Sequence, residues 1–527
     1  MSNTISEHPA PQPVSIETIL AGAGGSPQAT CGTTINPPLT DHEYQIDTNE
    51  VADEGMPNFG ESGNPLHAVR SAIANVDARD LLELAHEILG LPTTDSKDEP
   101  RDQTQAEIIV LIVAYFEHYL IESGFGALIM NGAPHLYGGT HWHQVDEKAF
   151  EAMLGRFAEN LGYHVATSRY FAFREKLLKQ SFATLVEEVA DRPPGSVLIN
   201  FLNGTLEIDG SGEGLRGFDK ADRLTYQLPF GFDESAQCPL FDQYIARVLP
   251  DPSSQAVLAE FIGWIFLREL KLEKVLVLFG DGHNGKSVFF DIMCALLGFH
   301  NVCNIGLSSL SKMENRFRLA GALLNFGSEI SDRCDADLFK KLASGEPVEA
   351  RKLYKDVFII RDYARLAFNA NVLPKNTEQT TGFFRRFLIV PFTQVITDDE
   401  KDPDLALKII SAELPGVFNW VMRGLRRLRI ARRFTTCIAA REALTTYRKE
   451  SDSVAMFLDD EALVPSIDGR RGKNETYTEY RNYCQTSGFS PLSKVNFGKR
   501  LLGQHQISAS KSGSLRFWNL IRQDDDE

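Results

Sequence analysis

Eight consecutive residues, Gly280-Asp281-Gly282-His283-Asn284-Gly285-Lys286-Ser287, carry the most specific chemistry in this chain. The spacing G-x-x-x-x-G-K-S suits a nucleoside triphosphate. Glycines at 280, 282 and 285 let the backbone turn successive N–H groups inward onto phosphate oxygens. Lys286 would neutralise the β- and γ-phosphates, and the Ser287 hydroxyl would ligate magnesium. Asp281, His283 and Asn284 complete the cradle. Downstream, the run Ala322 to Glu329 ends in an acid, with Asp332 close behind. Glu329 is the candidate for activating water and, with Ser287, for holding Mg2+; a solvated strand-end glutamate is the plain alternative. A further apolar run, Tyr363 to Asn371, ends in an amide that could hold the lytic water, although an Asn before a turn is commonplace.

The elements around these residues are in the order the chemistry needs. Val275-Leu-Val-Leu-Phe279 reads as a strand, it runs into the glycine loop, and VFFDIMCALLG then reads as a helix whose positive N-terminal end faces the phosphates. The runs ending at Glu329 and Asn371 read as two more strands, and Cys238 to Leu272 reads as helical. Asn203-Gly204 and LYGGTHWHQVD are hairpin signals. His141 and His143 have no third ligand at helpful spacing, so a structural role is expected for them.

At 527 residues, 43% hydrophobic and 24% charged, the chain predicts several globular domains. Its net charge of -17 conceals an asymmetry: residues 1–104 hold 17 acids against 4 bases, and residues 466–522 hold 10 bases against 3 acids. A phosphate backbone would be met at the basic end. Seven scattered cysteines with no C-x-x-C pair argue for reduced thiols. The start of the chain has no secretory pattern and the longest apolar stretch, near Ile108 to Phe116, is too short for a bilayer, so a soluble cytoplasmic protein without a membrane partner is expected.

Taken in order, these segments resemble the superfamily-3 helicases, in particular the helicase module of phage and plasmid primase-helicases and of the poxvirus primase-helicase. GDGHNGKS resembles the Walker A motif and LLNFGSEISD the Walker B motif. FKKLASGEPVEARKLYKDVF (339–358) resembles the B-prime motif, and FNANVLP the motif whose sensor is Asn371. GFFRRFLIVPF (382–392) resembles the arginine-finger segment, with Arg386 the better match and Arg385 its neighbour. ELPGVFNWVMRGLRRL (413–428) resembles the helix after the motor core. Two departures stand out: Thr380-Thr381-Gly382 replaces the acid that often precedes the finger segment, and the Walker B strand ends in one acid.

The resemblance implies a multidomain α/β protein with a P-loop, AAA+-like core on a parallel sheet, a mixed α+β N-terminal domain and a C-terminal winged helix. The expected divisions are 1–104 (acidic, partly disordered, with one helical stretch), 105–237, 238–430 and 431–527. It further implies a hexameric ring that hydrolyses ATP with Mg2+ between subunits and unwinds DNA 3'-to-5'. Arg351, Lys352, Tyr354 and Lys355 would grip single-stranded or forked DNA from a channel hairpin. Lys494, Lys499 and Arg500 would face DNA from a recognition helix, with Lys511 and Arg516 on the wing. Residues 1–235 lack the acids of a primase, so a separate primase or replication protein is an expected partner, with the acidic head as its docking tail. A nucleotide-switched DNA-binding initiator and, more remotely, a P-loop kinase are the rival readings.

Overall fold

The computed structural model describes residues 65–186, 195–328, 330, 335–352, 356–374 and 380–523. The chain divides into two units, 1–60 and 61–527, and every described residue belongs to the second.

Its centre is a five-stranded parallel sheet: Val275–Phe279 (β1), Val302–Cys303 (β2), Leu324–Gly327 (β3), Arg365–Ala370 (β4) and Phe387–Pro391 (β5), in the order β5-β1-β4-β3-β2. The unbroken apolar run of β1 follows from this position, because a central parallel strand is covered on both faces. Successive side chains alternate between the faces. Leu276, Leu278, Phe326, Ala367 and Val390 pack with helices Pro239–Val248, Pro252–Trp264, Lys286–Leu297 and Leu414–Ala431. Val275, Val277, Phe368 and Ile389 pack with helix Ala336–Ser344, the antiparallel hairpin Val348–Arg351/Val357–Ile360 and helix Ile438–Glu450. Helices Pro252–Trp264 and Leu414–Ala431 touch through glycines: a Cβ on Gly424 would stand 2.3 Å from the Ala259 backbone, and one on Gly263 2.8 Å from Leu425.

The single helical stretch expected near Leu66 to Leu91 is two helices, Pro65–Ala74 and Leu81–Leu89. Asp80 starts the second by accepting from the Leu82 and Glu83 N–H groups, and Gly90 ends it in the left-handed region. The apolar stretch near Ile108 lies in helix Gln105–Glu122, opened by a reciprocal Thr104–Glu107 capping box and packed through Phe116 against Phe150 and Phe157. With helices Glu147–Asn160 and Phe171–Thr184 and the sheet Gly126–Met130, Ala133–Tyr137, Trp142–Gln144, these elements form one core. The LYGGTHWHQVD hairpin joins the last two of these strands.

The apolar packing does not break at 237–238, where the sequence suggested a boundary. The sheet Val197–Phe201, Gly204–Ile208, Glu213–Arg216 shares the central core, with Phe201 edge-on to Phe418 at 4.9 Å. Its first hairpin turns on Leu202-Asn203 and not on Asn203-Gly204. Gly204 is required because the Arg216 carbonyl would lie 2.4 Å from a Cβ there. The last module packs helices Ser453–Asp460, Lys473–Thr486 and Lys494–Gly503 against the hairpin Ala509–Ser512/Leu515–Trp518 around Tyr480, Phe497 and Trp518. Among the described residues no single helix is long and apolar enough to cross a membrane.

Candidate nucleotide site

The glycine loop sits where β1 meets helix Lys286–Leu297, at the C-terminal edge of the sheet. Gly282 and Gly285 have φ of +105° and +84°, a region side chains disfavour. Gly285 also has no room for a side chain: a Cβ would meet Val248 at 2.7 Å and Tyr244 at 3.3 Å, and the Tyr244 hydroxyl donates to the Gly285 carbonyl at 2.8 Å. A Cβ on Gly280 would strike the Asn284 amide at 2.2 Å, and that amide donates to the Phe392 carbonyl at 3.1 Å. Asn284 is thus a buried brace of the loop. His283 takes φ +48°, and its carbonyl accepts from the Ile396 N–H at 2.8 Å. Asp281 is exposed at the loop surface and its charge bears on Lys286.

Lys286 is the first residue of the helix and only 7% exposed. Its ammonium donates to the Gly280 carbonyl and, at 3.3 Å, to Asn284 Oδ1. Burial pushes its pKa down, against a smaller upward pull from Asp281. A buried cation held by carbonyl oxygens is poised to meet an anion. Ser287 follows at the open helix N-terminus, where no side chain caps the first N–H groups.

Three strand tips lie side by side here. Ala370 pairs with Phe279, the Gly280 N–H donates to the Ala370 carbonyl at 3.1 Å, and Phe368 pairs with Gly327. Asn371 therefore follows directly beside the loop and is exposed. β3 stops at Gly327, and Glu329 and Asp332 lie outside the described residues. Sequence reasoning passed over Asn369, two residues earlier. It shares a face with Ala367 and Leu278, on the side of the sheet that carries the loop helix, and its Oδ1 is buried with no hydrogen-bond partner among the described residues. Period-2 counting back from Asn371 was the available signal.

Beside the loop is a cavity of about 410 Å3 lined by Val248, Phe279, Leu373, Pro391 and Thr393, with the acids Asp251, Glu442 and Glu450 on its wall. It touches the loop through Val248 and Phe279. The arginine pair lies elsewhere. Arg386 precedes β5, and its carbonyl accepts from the Val275 N–H, at the opposite end of β1 from the loop. Its guanidinium, 8% exposed, is held by the Gly382 carbonyl, by Ser344 Oγ at 2.8 Å and by Glu273 at 3.1 Å. Arg385, with its side chain 58% exposed, pairs with Glu273 at 2.6 Å.

The residues proposed to meet DNA divide unevenly. Arg351 ends the first strand of the hairpin and pairs with Glu314; Lys352 follows it near His135; Tyr354 and Lys355 lie outside the described residues. On helix Lys494–Gly503, Lys499 is exposed and Lys494 is exposed but donates to Asn474. Lys511 and Arg516 face each other across the hairpin strands. Arg500 differs from expectation: it turns inward, its side chain 14% exposed, to pair with Asp452 at 3.3 Å. Helical spacing explains this, because position 500 is three residues from Phe497 and beside Leu501, both buried in the module core.

Burial pushes the Asp452 carboxyl up, but the His505 imidazole at 3.4 Å and the charge of Arg500 outweigh it and hold the group below its ordinary value. That stabilisation is complete above the ordinary carboxylate range and is lost as pH falls through the lowered pKa. Arg500→Ala is expected to destabilise the C-terminal module by about 3 kcal/mol and to start its acid unfolding at a higher pH. Hydrogen exchange over 453–522 as a function of pH reads both; protection equal to the parent would contradict the pairing. The rings of His141 and His143 are 3.8 Å apart, and burial, with a smaller contribution from neighbouring imidazoles, pushes them down to about 3 and about 4. Both are neutral near pH 7.

Fold and site together define a mixed α/β protein on a five-stranded parallel sheet, with a glycine-rich strand-to-helix loop at its C-terminal edge. Residues 129–250 match the family described as D5 N terminal like, and residues 278–386 match a family of unknown function, DUF5906. The D5 N-terminal-like match over residues 129–250 agrees with the resemblance to the primase-helicases. Among solved structures, an A-form apo structure of the NrS-1 C-terminal region is 12% identical, with a TM-score of 0.45 over 77% of this chain and 98% of that one. Another apo structure of that region, spanning 305–718, is 11% identical with a TM-score of 0.41 over the same shares. At these values the likeness carries no weight for fold or function.

Proposed function

We propose that this chain is an ATP-dependent DNA helicase of a replication system, working as a hexameric ring and moving 3'-to-5'. The observation that carries the reading is the glycine loop itself, with a buried Lys286 that has no carboxylate partner among the described residues at a helix N-terminus, and the β4 tip with its two asparagines alongside. Such a loop suits ATP–Mg2+: the phosphates would lie on the loop, Ser287 and Glu329 would hold Mg2+, and Glu329 and Asn371 would serve the lytic water. The flanking cavity, with acids suited to ribose hydroxyls and an exocyclic amine, supports a nucleoside beside the loop. The AAA+-like assignment of the core and the winged-helix assignment of 431–527 belong to the same proposal.

Distance supports the ring: β1 rises about 17 Å from Val275 to Gly280, further than an arginine reaches, so a finger role for the 385–386 pair would require a neighbour's nucleotide. The exposed lysines 494, 499 and 511 support contact with DNA backbone.

ATP hydrolysis measured with and without single-stranded DNA, beside unwinding of a forked duplex, tests the reading. Strong DNA stimulation and strand separation are expected. Hydrolysis indifferent to DNA, without separation, would sink the motor and favour a nucleotide-switched DNA-binding initiator. Within the site, Asn369 is expected to hold the lytic water or the Lys286 ammonium through its unpaired Oδ1. Asn369→Leu should lower kcat about tenfold, the scale of one hydrogen bond, with KM unchanged, and Asn369→Thr should recover most of the loss. Equal kcat in parent and Asn369→Leu would remove Asn369 from the site.

A further inference from the structure

A second concave site lies at the other end of the central sheet. β4 rises about 17 Å from Arg365 to Ala370, so a cavity at its start is well separated from the glycine loop at its finish. This cavity, of about 340 Å3, opens where the strand Val197–Phe201 and the 223–226 segment meet residues 265–270, the approach to β3 and the end of helix Leu414–Ala431. Its volume is that of a small-ligand site.

Four guanidinium groups line it, from Arg223, Arg268, Arg429 and Arg432, against the two carboxylates of Asp362 and Glu269. Arg223 stacks over the Trp142 ring at 5.1 Å. Arg268 pairs with Asp362 at 2.9 Å, and Glu269 accepts from the Gly195 N–H at 3.1 Å. Arg429 donates to the carbonyls of Gly195 and Asp209, and its charge bears on the Asp209 carboxylate. Arg432 closes its helix in the left-handed region, is exposed and has no partner among the described residues. Behind the wall, Arg365 stacks on Trp264 at 3.9 Å with its Nε buried and unpaired. Burial, and then the charge of Arg268, push the Arg365 pKa down to about 10. An anion in the cavity would meet the exposed Arg432 and would relieve part of the cost of burying Arg365 behind the wall. The rest of the wall, including Leu198, Tyr226 and Phe266, is apolar and partly aromatic, a surface for a flat ring.

We propose that this cavity binds a phosphate-bearing ligand of nucleotide size, with its phosphate on the arginine forks and its base against the Tyr226 and Phe266 wall. The ligand is either a free nucleotide or one nucleotide unit of a DNA strand, which share this chemistry. The inference stands on the cavity alone and does not depend on the motor reading.

The test uses the full chain carrying Lys286→Ala, which removes the cation of the glycine loop. It is titrated with fluorescent N-methylanthraniloyl-ATP and, separately, with a short 5'-phosphorylated, fluorescein-labelled oligothymidylate followed by anisotropy. Each titration is repeated with Arg432→Asn and with Arg268→Gln added. At least one probe is expected to bind and to be weakened by about tenfold by each substitution, the scale of one charge-assisted hydrogen bond. Weakening confined to the ATP arm identifies a free nucleotide, and weakening confined to the oligonucleotide arm identifies a strand. Failure of both probes to bind, or affinities unchanged by the substitutions in both arms, overturns the proposal. Arg432→Asn keeps a residue that accepts the left-handed cap, so it decides alone should Arg268→Gln lower the melting temperature.

Discussion

Lys286→Ala is expected to lower ATP hydrolysis by roughly 10^2- to 10^3-fold, the scale of removing one preorganised charge-stabilising donor, while the fold survives. The ammonium lies in the loop with main-chain and amide oxygens as its partners and no carboxylate within bonding distance among the described residues. Its burial is therefore a cost in the empty protein, visible as the lowered pKa, and becomes a gain only when phosphate arrives. Removing it leaves the Gly280 carbonyl and Asn284 Oδ1 short of a donor, worth about 1 kcal/mol each, and relieves the burial of the charge, so the two effects largely offset. The measurements are steady-state hydrolysis and the melting temperature of the same preparation. Hydrolysis within a factor of two of the parent would falsify the assignment of the loop; a collapse of melting temperature would show that the lysine is chiefly structural. Unwinding should vanish together with hydrolysis.

The second large effect rests on the proposed ring and concerns which of two arginines would cross to a neighbouring subunit. The resemblance favours Arg386, yet its guanidinium is buried against Gly382, Ser344 and Glu273, whereas Arg385 is exposed and, among the described residues, held by Glu273. A group that must meet a partner's γ-phosphate has to be free to leave its own subunit, and Arg385 is the freer of the two. Arg385→Ala is expected to reduce hydrolysis on the order of 10^3-fold, as for an arginine supplied in trans, with the melting temperature unchanged. Arg386→Ala is expected to lower the melting temperature as well, because it strips partners from the start of β5. Mixing Lys286→Ala with Arg385→Ala chains should restore part of the activity, since some interfaces then pair an intact loop with an intact arginine. An Arg386→Ala chain that melts like the parent while losing all hydrolysis would return the role to Arg386, and no recovery on mixing would argue against a shared site.

How much of this could be read in advance differs between neighbouring residues. The loop and its flanks were readable because their constraints are local: eight contiguous residues must present N–H groups, the preceding five must fill a strand covered on both faces, and the following helix begins at once. The outward-facing Lys499 was readable for the same reason, since helical spacing alone separates it from the buried Phe497 and Leu501. Arg500 was misjudged because its partner, Asp452, lies 48 residues away and charge by itself gives no direction.

The sequence by itself determined the glycine cradle, the order of strands and the basic end of the chain, because each depends on residues adjacent in the chain or on a simple period. Tertiary structure decided the rest. It put residues 195–237 into the central core, placed Asn369 on the face of the sheet that carries the loop helix, tied down Arg386 and gathered arginines from three separate segments around one cavity. In each case the outcome depends on which distant surfaces meet when apolar faces are buried together, and that pairing is a property of the packed chain that no local window contains.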